Sequence, residues 1–398
     1  MPRRRILVLN QYYAPAFEST GQLLTQLCEA LAEDHDVTVL TGAVEGDAPP
    51  HERRNGVDVI RVFSTSFERR RLALRAANYL TYAASSLARA LGEARPDLVL
   101  CMSDPPFIGA LARITARRHR VPYLVIVQDV FPEIALQLGR LTNPLLVRGL
   151  DLLVGSALKR ADCVVAIGET MRRRLVEKGV PVGAIEVIPN WIDAGELQPQ
   201  PRDNAWAREH ELEEVFVVMH SGNVGWAQDL DVLVRASTFL RDLERLRFVV
   251  VGSGARQADI VELRERLEAD GFLFLPYQPR EVLPLSLSSA DLHYVGLAPG
   301  LAGYVVPSRM NGVLSVARPV IVGADPESEI VRVVEGAGCG ITVPPGRPER
   351  LAEAIRDAYE GRYDLAEMGR KGREYVLSTI DRPISIARYR EVIAGLLP

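Results

Sequence analysis

The stretch VFVVMHSGNVGWAQDLDVLVRA (215–236) runs from an apolar segment, through a loop holding two glycines, into a helical pattern from about 229. Gly222 and Gly225 let the backbone approach a ligand closely, because neither carries a Cβ. The helix that follows offers unpaired N–H groups and roughly half a positive charge to an anion. A G-x-x-G turn is explained equally well by tight strand-to-helix packing, so both meanings stand at this point.

Outward from that stretch the same alternation continues in both directions. After it come the strand-like runs RFVVVG (247–252), FLFLP (272–276), DLHYVGL (291–297), PVIVG (319–323) and GITV (340–343), with helical patterns from about 256 and after Pro307. Before it lie ILVLN (6–10), a helical pattern over 20–33, then DVTVLT (36–41), VDVIRVF (57–63), DLVLCM (97–102), YLVIV (123–127), CVVAI (163–167) and the closing AIEVIPNWID (184–193). Most runs are continuously apolar, as parallel strands covered on both faces require. Two rounds of strand–helix alternation predict an α/β protein with two Rossmann-like, doubly wound parallel sheets. The polar, Pro-containing segment 194–214 is the linker candidate. Domains are expected over 1–195 and 196–378, and a terminal helix within 379–398 is expected to pack back on the first domain. Ligands of such sheets bind outside the carboxyl ends of the strands, so functional residues belong just after each strand.

Composition narrows the function. A chain of 398 residues with 47% apolar and 25% charged residues is ordinary for a globular protein of two domains or more. A net charge of −4 gives no whole-molecule attraction to nucleic acid. Of the 47 basic residues only Lys159, Lys178 and Lys371 are lysines. Any phosphate-binding cation between 179 and 370 is therefore an arginine. Cys28, Cys101, Cys163 and Cys339 are far apart in apolar runs and read as buried thiols of a cytoplasmic protein. The apolar run after the basic N-terminus is too short for a signal peptide, and no run approaches a membrane span.

Two further loops have the same form as the first. VVVGSGAR (249–256) places Gly252 and Gly254 after a strand, but Gln257 stands where a dinucleotide fingerprint wants its third glycine. GLAPGLAGYVVPSRMNGVLSVARPVIV (296–322) has a flexible loop at Gly300 and Gly303, and Pro307-Ser308 opens a helix. Arg309 stands in its first turn, where the helix dipole disfavours a cation. Either it is an exposed arginine, or an anion bound there offsets that cost.

With VLNQYYAPAFESTGQLLTQL (8–27), VQDVFPE (127–133), VIPNWID (187–193), HSGNVGWAQDLD (220–231), LPYQPREVLP (275–284) and VPSRMNGVLSVARP (306–319), the sequence resembles the retaining glycosyltransferases of family 4. Within them it is similar to the WbuB-like and WcaI-like branch of bacterial surface-polysaccharide assembly. The resemblance implies the GT-B architecture, two Rossmann-like domains facing across a cleft. It implies a nucleotide-sugar donor such as a UDP- or GDP-sugar in the second domain. Gly222, Asn223, Gly225 and Gln228 would line the phosphates. Gly252 and Gly254 would pass beneath the nucleoside, with Arg256 nearby, and Tyr277 and Gln278 would flank the base. The loop Gly300, Gly303, Tyr304, Val305, Pro307, Ser308 would donate N–H groups to the diphosphate. The first domain would supply the acceptor side through Asn10, Gln11, Tyr12, Thr20, Gly21, Gln128, Asp129 and Glu133.

The sequence departs from the family pattern in places. Asn223 and Gln228 stand where many members carry Arg and Lys. Tyr304 and Gly312 stand where many carry a pair of glutamates, which removes the usual carboxylate to the ribose. Glycosyl transfer places negative charge on the leaving diphosphate, so a cation is still required. Arg309 is the first candidate and Arg256 the second. Asp129 is the candidate to orient or deprotonate the acceptor hydroxyl; as an alternative it caps the helix over 131–138, with Glu133 in the first turn. Retention without a covalent nucleophile is the family expectation.

No cofactor or metal is expected. Asp229-Leu230-Asp231 matches a metal motif of another glycosyltransferase fold, but helix capping explains it better here. Asp34-His35-Asp36 reads as a solvated turn. The stretch 61–91 is basic at its start, with five arginines between 61 and 75, and then apolar and aromatic. It is either an ordinary surface helix or a peripheral contact with the cytoplasmic face of an anionic membrane. The acceptor is expected to be polyprenyl-diphosphate-linked or a glycan, consistent with the hexosyl or N-acetylhexosaminyl transfer of that branch. A sugar-nucleotide 2-epimerase and a non-catalytic sugar-nucleotide-binding protein are the alternatives.

Overall fold

The computed structural model describes residues 3–15, 19–43, 48–65 and 72–397. The chain divides into two compact units, Met1–Pro189 with Ser385–Pro398, and Asn190–Ile384.

The first unit carries β1 (Arg5–Leu9), β2 (Asp36–Thr41), β3 (His51–Arg54), β4 (Val57–Arg61), β5 (Leu98–Met102), β6 (Tyr123–Val127), β7 (Cys163–Ala166) and β8 (Ile185–Val187). They form one sheet in the order β3-β4-β2-β1-β5-β6-β7-β8. All neighbours are parallel except β3 and β4. Every residue of β5 and β6 is buried, as helices on both faces demand. The sequence reading has no strand at β3. HERR has no apolar alternation, and its pairing depends on the turn Asn55-Gly56, whose φ values of 46° and 85° suit a tight hairpin. A charged edge strand of this kind also blunts the sheet against further pairing. The helix Arg382–Leu396 contributes its later turns to this unit: Tyr389 and Ile393 are buried. Its Arg388 donates to the carbonyl of Val187 at 2.5 Å, and Arg390 to Glu33 at 2.5 Å and the carbonyl of Ala30 at 2.8 Å.

The second unit carries β9 (Phe216–Ser221), β10 (Leu246–Val251), β11 (Phe272–Leu275), β12 (Leu292–Gly296), β13 (Val320–Gly323) and β14 (Gly340–Val343). Their order is β11-β10-β9-β12-β13-β14, all parallel. Val218, Leu233, Phe248 and Tyr294 lie in its main apolar cluster. The segment 194–214 is not a linker. Asn204 caps the helix Ala205–Glu209 by accepting from Trp206 and Ala207 N–H. Trp206, 3% exposed, packs with Leu212, Val217, Met219 and Val249 on the sheet. One tryptophan at helical spacing from small residues is too short a pattern to show as an amphipathic stripe.

Each sheet reverses direction once. The chain builds β1, β2 and β4 outward on one side and then starts β5 on the other side of β1. In the second unit it builds β9, β10, β11 and then starts β12 on the other side of β9. At such a point the loops after the two central strands splay apart and leave a crevice. These are the loops after β1 and β5, and after β9 and β12.

Candidate active site

In the second unit the three glycine-containing loops meet at this reversal. Ala298 N–H donates to Ala227 O at 2.9 Å, joining the loop after β12 to the turn after β9. The loops after β9 and β10 interlock: Val224 N–H donates to Ser253 O at 2.9 Å, and Arg256 N–H to Val224 O at 3.0 Å. A Cβ on Gly252 would lie 2.0 Å from Gly222 O, and one on Gly254 2.3 Å from Val224 O. Gly252 and Gly254 are therefore demanded by loop-on-loop packing, whatever else passes over them. Gln228 accepts from Gly225 N–H at 3.0 Å, so both hold the turn closed.

Arg309 opens the seven-residue helix Arg309–Ser315. Its side chain lies against Gly222, whose built Cβ would be 3.5 Å from Arg309 Cδ. Nη2 donates to Gly296 O at 2.6 Å, while Nε is sealed from water and has no hydrogen-bond partner among the described residues. Among the described residues no carboxylate pairs with it. Burial pulls its pKa down to about 10, which leaves it a cation at neutral pH. His220, fully buried, donates from Nε2 to Asn223 O at 3.3 Å. Burial and the nearby Arg309 charge hold it well below the usual histidine range, so it is neutral. Sequence reading missed His220, because a lone histidine inside a strand carries no ligand spacing.

Arg256 has a different surrounding. It pairs with Asp231 at 3.2 Å and Asp259 at 3.3 Å, and its guanidinium lies 4.8 Å from the Trp226 ring centre. Two carboxylates neutralise it, and it is the weaker anion ligand of the two arginines. Asp229 takes the left-handed conformation (φ 51°) and makes no side-chain cap. Its carboxylate accepts from Gly346 N–H at 3.3 Å, and burial together with Asp231 pushes its pKa up to about 6. Capping therefore does not explain the Asp229-Leu230-Asp231 pattern; one carboxylate ties two loops and the other binds Arg256.

The remaining donor-side candidates divide in the same way. Tyr277 is half exposed and donates to Ser253 O at 3.3 Å. Gln278 is committed to the fold, accepting from Trp206 Nε1 at 3.0 Å and donating to Pro276 O at 3.0 Å. Gly300 (φ 79°) gives its N–H to Asp325 at 2.8 Å. Gly303 (φ 80°) allows the turn in which Tyr304 N–H donates to Leu301 O at 3.0 Å. Ala302 bridges Val305 just before Pro307 and Ser308. A Cβ on Gly312 would point at Leu287 and Leu197, so the position of the missing glutamate faces apolar packing here. A broader depression lined by Phe239, Glu349 and Arg356 lies at the far end of these helices, and Asp242 at 2.6 Å occupies Arg356 there. Being at the amino ends of the strands, it is not a candidate.

In the first unit the acceptor-side candidates follow β1 and β6. Asn10 is buried and donates to Tyr12 O at 2.7 Å; among the described residues its Oδ1 has no partner, and neither does Gln11 Oε1. Gly21 lies against Tyr12, with Thr20 beside it. Gln128 N–H donates to Ser103 Oγ at 2.9 Å, joining the loops after β5 and β6. Asp129 lines a narrow crevice of about 20 Å³ with Ser103, Phe107 and Phe131. The helix beyond it starts at Glu133 with Pro132 before it, so Asp129 is not its cap. Glu133 accepts from Lys178 at 2.5 Å, and Lys178 also binds Asp151 at 2.5 Å. That network holds Glu133 in the fold. Over 61–91, Arg69, Arg70 and Arg71 lie outside the described residues. Tyr82 is buried, donating to Leu40 O at 2.9 Å, and Tyr79 meets the edge of Phe107. Tyr82 and Tyr79 of that stretch are thus engaged within the unit, while Leu80 and Phe63 are exposed. Among the described residues no group of three His, Cys, Asp or Glu side chains is placed to hold a metal.

Two parallel-sheet α/β units of this topology make the GT-B architecture of glycosyltransferases. HepE from Anabaena in complex with UDP-glucose shares it with a TM-score of 0.76 at 16% identity, over 99% of this chain and 100% of that one. WaaG, a glycosyltransferase involved in lipopolysaccharide biosynthesis, shares it with a TM-score of 0.72 at 16% identity, over 98% and 100%. Residues 20–191 match the glycosyl transferase 4-like domain, and residues 215–361 match the glycosyl transferases group 1 domain. The chain belongs to the family 4 glycosyltransferases, as the sequence resemblance implies. The putative colanic acid biosynthesis glycosyl transferase WcaI of Escherichia coli K12 is 25% identical over 417 residues, 98% of this chain and all of the relative. The probable glycosyltransferase WbjE of Pseudomonas aeruginosa is 25% identical over 401 residues, 99% of this chain and 98% of the relative.

Proposed function

We propose that the protein transfers a hexosyl or N-acetylhexosaminyl group, with retention of configuration, from a nucleotide sugar held in its second unit. The acceptor is a polyprenyl-diphosphate-linked sugar or a growing glycan of a cell-surface polysaccharide. The observation that carries this reading is Arg309: a cation with a sealed Nε, no carboxylate partner among the described residues, and Gly222 beside it. A partly desolvated charge with no counter-ion among the described residues is costly, and a diphosphate would supply the missing charge. The UDP-glucose bound to HepE supports a UDP-sugar donor, and the colanic acid biosynthesis in WcaI's name supports a polysaccharide product.

In this mechanism the loop Gly222, Asn223, Gly225 admits the diphosphate, and the segment from Gly300 to Ser308 encloses it. Tyr277 flanks the base. Arg309 stabilises the charge that grows on the leaving phosphate, and a preorganised donor of this kind contributes about 2.7–4 kcal/mol. Asp129 orients or deprotonates the acceptor hydroxyl on the first unit, with Asn10, Gln11 and Gln128 near the acceptor. The reaction runs without a metal, at the cytoplasmic face of a membrane, which the basic start of 61–91 touches. No described helix is long and apolar enough to cross a membrane.

A thermal-shift screen of nucleotide sugars tests the donor assignment, since a ligand at 100 times its Kd adds about 2.7 kcal/mol. Stabilisation by UDP-sugars, followed by transfer or slow hydrolysis unaffected by EDTA, is the expected result. Binding without turnover would leave a sugar-nucleotide-binding protein, and release of a free 2-epimerised sugar would make it an epimerase.

A further inference from the structure

Lys178 is one of only three lysines in the chain, and its side chain is 5% exposed. It stands at the end of the helix Glu169–Glu177, where its N–H donates to Arg174 O at 3.0 Å. From there its stem reaches the helix Pro144–Leu158: a Cβ on Gly155 would lie 3.8 Å from Lys178 Cε. The ammonium then meets two carboxylates at once, Asp151 of that helix and Glu133 of the helix Glu133–Gln137, each at 2.5 Å. The other oxygen of Glu133 is sealed from water and has no partner among the described residues. A compact ammonium with three donors can join carboxylates from two elements, whereas a planar guanidinium favours one carboxylate held by two bonds.

The elements joined in this way are the ones that frame Asp129. Asp129 and Phe131, from the loop after β6, line the narrow crevice together with Val154, Ala157 and Leu158 of the helix Pro144–Leu158. The loop and the helix Glu133–Gln137 form one piece: Ile134 N–H donates to Val130 O at 3.0 Å, and Leu136 N–H to Pro132 O at 3.1 Å. At its other end the loop is pinned by Gln128 N–H on Ser103 Oγ at 2.9 Å. Asp129 therefore lies between two fixed points, Ser103 on one side and the Glu133–Lys178–Asp151 brace on the other. An ion pair with a desolvated lysine gains little net stability over apolar groups of the same volume. What this one fixes is the spacing between the loop that carries Asp129 and the helix Pro144–Leu158.

We propose that Lys178 is a positioning residue for glycosyl transfer: by tying Glu133 to Asp151 it sets the aim of Asp129 toward the acceptor hydroxyl. This role rests on that of Asp129 in the proposed transfer. Lys178 acts through Asp129 and touches no reactant. A misplacement of about 1 Å at a reacting group costs on the order of a hundredfold in rate, so loosening the brace slows transfer. Donor binding, which belongs to the second unit, is left as it was.

Two measurements on the full-length protein test it, both using Lys178→Met with Glu133→Gln, a neutral pair that leaves Glu133 no unpaired charge. The first needs no substrate. Amide hydrogen exchange over 128–136 should quicken by about tenfold or more in the neutral pair, with the Tm close to wild type. The second is UDP release from UDP-glucose in the presence of undecaprenyl-diphosphate-linked N-acetylglucosamine. There kcat should fall by roughly ten- to a hundredfold with donor KM unchanged. Added to Asp129→Asn, the neutral pair should cost nothing beyond Asp129→Asn alone. Asp151→Asn, at the exposed end of the brace, keeps the Lys178–Glu133 bond and should lower kcat in the same direction by less. Unchanged exchange, or wild-type kcat in the neutral pair, overturns the proposal and leaves the role of Asp129 standing. Losses that multiply with that of Asp129→Asn also overturn it, since Lys178 would then act by another route. Wild-type kcat in Asp129→Asn overturns the role of Asp129 itself, and that of Lys178 with it.

Discussion

Arg309 keeps a charge where burial opposes it, with one carbonyl, that of Gly296, as its recorded partner. Two outcomes follow for its variants. Arg309→Ala should lower kcat by roughly 10²–10³ while the protein stays folded; near-normal turnover would remove Arg309 from the chemistry. Arg309→Met should leave the unliganded protein as stable or more stable, by on the order of 1 kcal/mol, because it removes a desolvated charge. A urea titration showing a loss of several kcal/mol would mean that the arginine serves the fold instead. Asp229 gives a pH test. Its pKa is pushed up to about 6, above the ordinary range of an aspartate, so the folded state holds a proton that the unfolded state gives up. Its contribution to stability is therefore lost as pH rises from about 4 to about 6. Asparagine keeps the shape, tolerates the left-handed backbone and does not titrate. The Tm of Asp229→Asn relative to wild type should rise across that window and then level off, and a flat difference would refute the shift. The buried histidines act oppositely in wild type and variant alike, so the difference cancels them.

At the scale of elements, interlocking loops decide the shape of the crevice. Gly252→Ala places a methyl 2.0 Å from Gly222 O at a φ of 131°. Overpacking against backbone costs typically 1–3 kcal/mol, and the left-handed strain adds to it. A lower urea midpoint together with loss of nucleotide binding is the expected result. An unchanged midpoint would show that the two loops part easily. The glycine loops were legible as loops from their G-x-x-G and G-x-G patterns. Their mutual packing was not, since no local pattern says that Gly254 meets Val224 O. The strand at His51–Arg54 was missed for a related reason: its stability is borrowed from β4 and from the Asn55-Gly56 turn.

At the scale of the molecule, the second unit is one continuous stretch, Asn190–Ile384, whereas the first needs the end of the chain. Trp206 is buried in the second unit, so Trp206→Ala should destabilise it by about 3–5 kcal/mol. Calorimetry that finds an exposed-residue effect, under about 0.5 kcal/mol, would return 194–214 to the status of a linker. Deleting 385–398 removes the buried Tyr389 and Ile393 and the Arg388 and Arg390 contacts, and it should lower the melting of the first unit specifically.

The sequence by itself determined the α/β class, the two rounds of alternation and the positions of nearly all the strands. Continuous apolar runs bounded by Gly and Pro state those locally, through hydrophobic periodicity and turn chemistry. It also determined that any phosphate-binding cation of the second unit has to be an arginine, because no lysine stands between 179 and 370. Only the tertiary structure set Arg309 apart from Arg256. The difference lies in which guanidinium already has carboxylates within 3.3 Å, and one of them, Asp231, comes from another element.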